Sequence, residues 1–236
     1  MVDSVFCNKK VLVLGLAKSG LSAAHLLKKL GARVIVNDKL ALENNTEAQA
    51  LIEEGFQVIT GYHPEDLLDA SFDFVVKNPG IPYTNPVVGQ AEKLAIPILT
   101  EVDVAGSILK AKPIAVTGTN GKTTTVSLIY DILAQDQAES PEPKPVYKLG
   151  NIGQPVSDLA LEIKAESNLV VELSSFQLQS LTYFTPHIAV ITNIYSAHLD
   201  YHKSREEYVR AKLRITQAQG PDDYLVYYQG QEELAS

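Results

Sequence analysis

Short apolar runs alternate with amphipathic stretches along the whole chain. Residues 9–15, Lys-Lys-Val-Leu-Val-Leu-Gly, are a β-branched and leucine run ending in glycine, which predicts a fully buried strand. Leu21, Ala24, Leu27 and Leu30 follow at helical spacing, so 19–30 predicts a helix that Gly31 stops. Val34-Ile35-Val36 is the next strand and ends at Asn37-Asp38. A weaker helix over 47–54 leads to a strand at Val58-Ile59. Residues 72–77 predict another strand, the Pro-rich stretch 79–86 a turn, 86–95 a helix, and 101–110 a further helix beyond Pro97.

A second series starts at Pro113-Ile-Ala-Val-Thr117. A loop and a helix from about 122 to 134 follow. Residues 135–145 are polar with three prolines and predict a mobile surface loop. Strands are expected at 169–173, 188–192 and 224–228, with a helix at about 204–217. Strands alternating with helices imply parallel βαβ units, hence an α/β fold whose sheets are covered by helices. The boundary between the two series is expected near 97–113.

Composition narrows the class. The chain has 236 residues, 45% of them hydrophobic and 20% charged, the balance of an ordinary globular protein. Twenty Lys and Arg against 28 Asp and Glu give a net charge of −8, which disfavours nucleic acid and anionic membrane surfaces as partners. The single cysteine, Cys7, excludes an internal disulfide framework and fits a reducing compartment. No apolar run approaches the roughly 18 residues of a membrane span, and residues 1–10 do not read as a signal peptide. A cytoplasmic location is the expectation.

Two strand-to-helix turns carry the chemistry. Gly15-Leu-Ala-Lys-Ser-Gly20, with Asp38 at the end of the next strand, is close to the G-x-G-x-x-G fingerprint, in which backbone N–H groups meet a diphosphate and the acid meets a ribose or base. Ala17 stands where the middle glycine would be, and a tight turn without a ligand is the competing reading. The second turn, Thr117-Gly-Thr-Asn-Gly-Lys-Thr-Thr-Thr125, is the more specific. Gly-Lys-Thr at a helix start cradles phosphates. The lysine neutralises β/γ oxygens and the threonine hydroxyl can hold Mg²⁺. Val116 occupies the first glycine position of the full P-loop pattern, so this loop is a variant.

Such a loop needs metal ligands at neighbouring strand ends. Glu172 and Ser174 end one strand; His198, Asp200 and His202 follow another. For the two histidines zinc is a weak alternative, since no cysteine accompanies them. Of the pair, His202 is expected on the surface. Lys212, inside a predicted helix, reads from sequence alone as a solvated lysine. A nicotinamide-dependent dehydrogenase fits residues 9–38 but gives Gly121-Lys122-Thr123 no role; a non-catalytic nucleotide-binding module is a third possibility.

Taken together the segments resemble the Mur ligase family. The match is carried by Gly15–Ser22, Lys77-Asn-Pro-Gly-Ile-Pro82, Val116–Thr124, Gly150-Asn-Ile-Gly153, Glu172-Leu-Ser-Ser-Phe-Gln-Leu178, His198-Leu-Asp200 and Ala211-Lys-Leu-Arg-Ile215. The Pro-Gly-Ile-Pro turn and the segment 172–178 point to the branch that adds D-glutamate to UDP-N-acetylmuramoyl-L-alanine in peptidoglycan precursor synthesis. The resemblance implies a Rossmann-like UDP-binding domain at 1–100 and the N-terminal part of a P-loop ATPase domain at 101–236. The resemblance implies that a C-terminal amino-acid-binding domain lies outside these residues, so the chain looks like a fragment of a ligase twice its length. The implied cofactors are ATP and Mg²⁺ at two sites. Gly118, Thr119, Asn120, Gly121, Lys122, Thr123 and Thr124 would hold ATP. Thr123 and Glu172 would hold one Mg²⁺; His198, with Lys212 carbamylated by CO₂, would hold the second. Lys122, Glu172, His198 and Lys212 would be the catalytic set. Lys18, Ser19, Asp38, Lys39, Asn78 and Gly80 match the uridine-diphosphate side of the substrate, and Asn151, Ser174 and His198 its muramoyl-alanine end. The D-glutamate site would lie mostly outside this chain, and a monomer is expected. Ala197 departs from the family, many members of which carry Asp there.

Overall fold

A computed structural model describes residues 4–231 and 234; the first three residues of the N-terminal stretch read above, and 232, 233, 235 and 236 at the other end, lie outside the described residues. The chain divides into two compact units, residues 1–108 and 109–236.

In the first unit β1 (Lys10–Leu14), α1 (Lys18–Lys29), β2 (Arg33–Asp38), a 3₁₀ turn at Leu42–Asn44, α2 (Thr46–Glu53) and β3 (Gln57–Thr60) are followed by β4 (Phe74–Lys77), α3 (Pro86–Lys93), β5 (Ile98–Leu99) and α4 (Glu101–Gly106). The strands form one parallel sheet in the order β3-β2-β1-β4-β5. Val11 to Leu14 are fully buried, because β1 lies between β2 and β4. That explains the unbroken apolar run read from the sequence. The core gathers Leu12, Leu14 and Val75 with Val87, Val88 and Ala91 of α3. The strand order reverses at β1, and in such sheets ligands bind outside the strand C-termini at that point. Gly20 is required there: a Cβ on it would lie 1.9 Å from the Gly15 carbonyl oxygen, so only glycine lets α1 start this close to β1.

The second unit runs β6 (Pro113–Thr117), α5 (Lys122–Glu139), β7 (Val146–Gly150), α6 (Val156–Leu159), β8 (Asn168–Glu172), α7 (Ser175–Leu178), β9 (Ile188–Ile191), α8 (Leu199–His202), α9 (Arg205–Leu213), a 3₁₀ turn at Arg214–Thr216 and β10 (Tyr224–Tyr227). Its parallel sheet has the order β10-β9-β6-β8-β7, so β6 and the Gly-Lys-Thr loop that follows it are central. β10 is an edge strand whose four side chains are all exposed.

One expectation needs correction here. Helix α5 extends to Glu139, into the stretch expected to be a loop. Alanine, glutamine and glutamate at 134–139 are good helix formers, and Pro141 is the first residue that forbids the continuation. Strand β7 was not anticipated, because Lys148 interrupts its apolar run; its ammonium lies 4.9 Å over the Tyr130 ring and its backbone pairs with β8.

Candidate functional site

The Gly-Lys-Thr loop, expected to cradle phosphates, begins where β6 ends. Thr117 is buried and its hydroxyl donates to the Leu173 carbonyl at 2.8 Å, fixing the strand end. Gly118 has φ +149°, and a Cβ on it would meet Thr192 Oγ1 at 1.9 Å, so the loop passes too close to the segment after β9 for any other residue. The segment after β9 holds it there. Thr119 N–H donates to Asn193 O at 2.9 Å, Asn120 N–H to Asn193 Oδ1 at 2.9 Å, and Thr192 Oγ1 to Asn120 O at 2.7 Å. Thr192 and Asn193 received no role from the sequence; a threonine and an asparagine directly after a buried strand end were the only signal.

The head of α5 is left open. Gly121 is its N-cap in the left-handed conformation, and no side chain caps the helix. The first N–H groups and the positive end of the helix dipole therefore point at whatever lies above the loop. Lys122 folds back, donating to the carbonyls of Gly118 and Thr119 at 2.9 Å each. Thr123 Oγ1 donates to Glu172 Oε2 at 2.7 Å. The other carboxylate oxygen, Oε1, accepts from Asn151 Nδ2 at 2.8 Å. Glu172 is thus buried at the end of β8 between a hydroxyl and an amide, with no lysine or arginine among the described residues paired to it. An acid and a hydroxyl at the mouth of this loop are hard oxygen donors, the chemistry Mg²⁺ takes. Among the described residues no group of three His, Cys, Asp or Glu side chains lies together as a metal cluster.

Lys212 is not a solvated lysine. It is 1% exposed, donates to the Gly118 carbonyl at 2.8 Å and lies 4.8 Å from the centre of the Tyr208 ring. Burial, reinforced by the nearby positive charge of Lys122, lowers its pKa to about 7. The hydroxyl of Tyr208 meets Thr119 Oγ1 at 3.0 Å; burial raises its pKa, against the opposing effect of that bond.

The two histidines are placed the opposite way from expectation. His202 is 2% exposed, bonded through Nε2 to Ser175 Oγ at 2.9 Å and stacked on Phe176. His198 is exposed, in a left-handed backbone conformation at the head of α8, with its ring edge-on to Phe176. The local order explains this. His202 ends the short helix α8, whose last turn faces the aromatic side chains of Phe176 and Tyr208. Ser174 caps α7: its Oγ accepts from Gln177 N–H at 3.3 Å and donates to Gln177 Oε1 at 3.0 Å.

The first unit carries a separate cleft of about 610 Å³ over the C-terminal ends of its strands. Asp38, Lys39, Asn78 and Gly80 line it together with Gly15 and Ala17. Both oxygens of Asp38 are engaged, Oδ2 accepting from Leu16 N–H at 2.7 Å and Oδ1 from Leu40 N–H at 2.8 Å. Lys18 and Ser19 start α1 outside that lining; Ser19 reaches it through Asn78 Nδ2, which donates to its Oγ at 2.9 Å. Lys77, 1% exposed, donates to the Ile81 carbonyl at 2.9 Å and shapes the 78–82 turn. Burial lowers its pKa to about 8.

Comparison with known proteins bears on both units. Residues 116–235 match the profile of the Mur ligase middle domain, and residues 9–100 that of the Mur ligase MurD-like N-terminal domain. The UDP-N-acetylmuramoylalanine–D-glutamate ligase of Lactiplantibacillus plantarum is 55% identical over 226 residues, which is 96% of this chain and 48% of that protein. The ligase of the same name from Enterococcus faecalis is 52% identical over 231 residues, 98% of this chain and 50% of that one. The chain therefore spans about half the length of the curated relatives it matches. Among solved structures, the Neisseria meningitides UDP-N-acetylmuramate:L-alanyl-gamma-D-glutamyl-meso-diaminopimelate ligase superposes with a TM-score of 0.59 at 18% identity, over 97% of this chain and 74% of that one. A murein peptide ligase from Psychrobacter arcticus gives 0.55 at 17%, over 97% and 50%. At these identities the two likenesses speak for the fold.

Proposed function

The chain belongs to the Mur ligase family, and from that membership we propose that it serves the ATP-dependent addition of D-glutamate to UDP-N-acetylmuramoyl-L-alanine in peptidoglycan precursor synthesis. The observation that carries this reading is the gathering of Lys122, Thr123, Glu172 and Lys212 around the single loop 117–124. The relatives at more than half identity are named for this reaction, and their name supplies the two substrates.

In this reading the substrate carboxylate attacks the γ-phosphorus of ATP and ADP leaves. The amine of D-glutamate then attacks the acyl phosphate carbon, and inorganic phosphate leaves as the amide forms. Phosphoryl transfer of this kind asks for positioning and charge neutralisation. The open head of α5 and the N–H groups of residues 122–124 bind the phosphates. Lys122 exchanges the carbonyls of Gly118 and Thr119 for phosphate oxygens. Thr123 and Glu172 would hold a Mg²⁺, which supplies neutralisation of the β/γ oxygens. Asn151 keeps the Glu172 carboxylate turned to that position. His198 and a carbamylated Lys212 are proposed for the second Mg²⁺; a buried amine with a pKa of about 7 offers CO₂ a substantial neutral fraction near neutral pH, where an ordinary lysine offers almost none. In the first unit the cleft over β1 takes the uridine diphosphate, with Asp38, Lys39, Asn78 and Gly80 on its walls. The protein is proposed to act as a cytoplasmic monomer; no helix among the described residues is long and apolar enough to cross a membrane.

Calorimetric titration of the chain with UDP-N-acetylmuramoyl-L-alanine, and in parallel with NAD⁺, tests the reading. Saturable binding of the UDP compound alone is expected. Binding of NAD⁺ in its place would return the first unit to a dehydrogenase-like role.

A further inference from the structure

The cleft of the first unit contains a hydrogen-bonded chain that no role above uses: Asn37, His63 and Asn85. Asn37 is fully buried, and its Nδ2 donates to the carbonyls of Ile59 at 3.1 Å and Tyr62 at 2.9 Å. Both amide hydrogens are spent, so the orientation of this side chain is fixed and only Oδ1, an acceptor, faces His63 Nδ1 at 2.5 Å. His63 Nδ1 must therefore carry the hydrogen. At the far end Asn85 is fixed just as firmly. It caps α3, its Oδ1 accepting from Val87 N–H at 2.9 Å, which turns Nδ2 toward His63 Nε2. Two independently oriented amides thus select one imidazole tautomer: Nδ1–H donating inward and Nε2 presenting a lone pair. Among the described residues the donor to that lone pair is Asn85 Nδ2 at 3.4 Å, beyond the usual range of an N–H hydrogen bond. His63 and Asn85 both line the cleft.

We propose that His63 is a specificity-determining residue of this cleft, its Nε2 accepting the imide N–H of a uracil ring while Asn85 Nδ2 stands beside it as a donor for an adjacent ring carbonyl. This rests on the reading of the cleft as a uridine-diphosphate site. An imide offers a donor between two carbonyl acceptors, the complement of an acceptor and a donor set side by side. A base with an unprotonated ring nitrogen in that position presents a lone pair to a lone pair and is disfavoured. The loose 3.4 Å contact is what the base would replace, so that binding leaves no polar group unpaired.

The test compares UDP with 3-methyluridine diphosphate, which lacks the imide hydrogen, by calorimetry on the whole chain. Wild type is expected to bind the methylated compound about tenfold or more weakly. His63→Ala should bind UDP more weakly by a similar factor and lose the discrimination between the two ligands. His63→Phe keeps the ring volume without the acceptor and should behave as His63→Ala does. Equal binding of both ligands by wild type overturns the proposal whatever the variants do. A methylation penalty of equal size in wild type and both variants overturns it too, because the methyl group would then be meeting something other than His63. If wild type binds neither ligand, the uridine-diphosphate reading of the cleft is what fails, and this assignment falls with it.

Discussion

Lys122 and Lys212 donate to the same atom, the carbonyl oxygen of Gly118, at 2.9 and 2.8 Å. Two ammonium groups sharing one acceptor repel each other, and that repulsion adds to burial in lowering the Lys212 pKa. A phosphate arriving at the head of α5 would relieve the crowding by drawing Lys122 away. Lys122→Ala should therefore weaken ATP binding to the chain by tenfold or more, about the worth of charge-assisted contacts to phosphate. An ATP affinity within twofold of wild type would remove this lysine from the phosphate site.

Lys212 is the second consequence of the shared carbonyl. An amine with a pKa of about 7 gives up its proton as pH rises through neutrality, whereas an ordinary lysine does so near 10.5. Only the neutral amine adds to CO₂. Incubation with ¹³C-bicarbonate should give a carbamate carbon resonance that grows between pH 6 and about 8 and vanishes in Lys212→Ala. Short carboxylic acids should partly restore Mg²⁺-dependent nucleotide binding to that variant. A spectrum without the resonance at pH 8, or one that persists in the variant, would assign the low pKa to packing alone.

Glu172 sits between Thr123 Oγ1 and Asn151 Nδ2, both donors, and is 1% exposed. Its burial without a basic partner is costly unless a cation completes the site. Glu172→Gln keeps shape and removes charge. We expect ATP binding to lose most of its Mg²⁺ dependence, while melting temperature stays level or rises in the absence of Mg²⁺, because an uncompensated buried charge has gone. Unchanged Mg²⁺ dependence in the variant would place the metal elsewhere.

Much of this site was legible in the sequence, and the limits have physical causes. Gly118 and Lys122 lie in a contiguous motif whose backbone geometry only certain residues permit, so a linear reading finds them. The parallel strands read well because central strands are apolar on both faces. Lys212 and His202 are misread from their own segments alone. Each is a polar residue whose burial depends on partners distant in sequence: Gly118 for the lysine, Ser175 and Phe176 for the histidine. Thr192 and Asn193 escaped for the same reason, since their work is to hold a loop more than seventy positions earlier. Helix propensity explains the overrun of α5, whose last residues Gln137, Ala138 and Glu139 are good helix formers that polarity alone disguised as loop.

Asp38 illustrates a residue with a double duty. Its carboxylate accepts from Leu16 and Leu40 N–H, tying the turn after β1 to the end of β2 across the cleft floor. Asp38→Ala should weaken UDP binding by roughly 1–3 kcal/mol, the cost of leaving polar groups without partners. Asp38→Asn retains one acceptor oxygen and should recover part of that loss. The measurement is the dissociation constant of UDP for the two variants. An alanine variant with wild-type affinity would detach the cleft from the nucleotide.

Lys77 gives a prediction with a definite sign in pH. The ammonium is buried beneath the 78–82 turn and bonded to the Ile81 carbonyl at 2.9 Å, and burial lowers its pKa from 10.5 to about 8. Below about pH 8 both folded and unfolded chains carry the proton, and the folded state bears the full cost of a buried charge. Between about 8 and 10.5 the unfolded chain still holds a proton that the folded chain has released. Stability contributed by this residue therefore rises with pH across that window, by at most ~1.4 kcal/mol per pH unit. Lys77→Met fills the same space with no titrating group. The difference in unfolding free energy between wild type and Lys77→Met should shift in favour of wild type as the pH is raised from about 7.5 to 10, while other lysines cancel in the comparison. A difference that stays flat over that range, or that moves in favour of the methionine variant, would mean that the ammonium reaches water and that the turn carrying Asn78 and Gly80 is held by backbone hydrogen bonds alone.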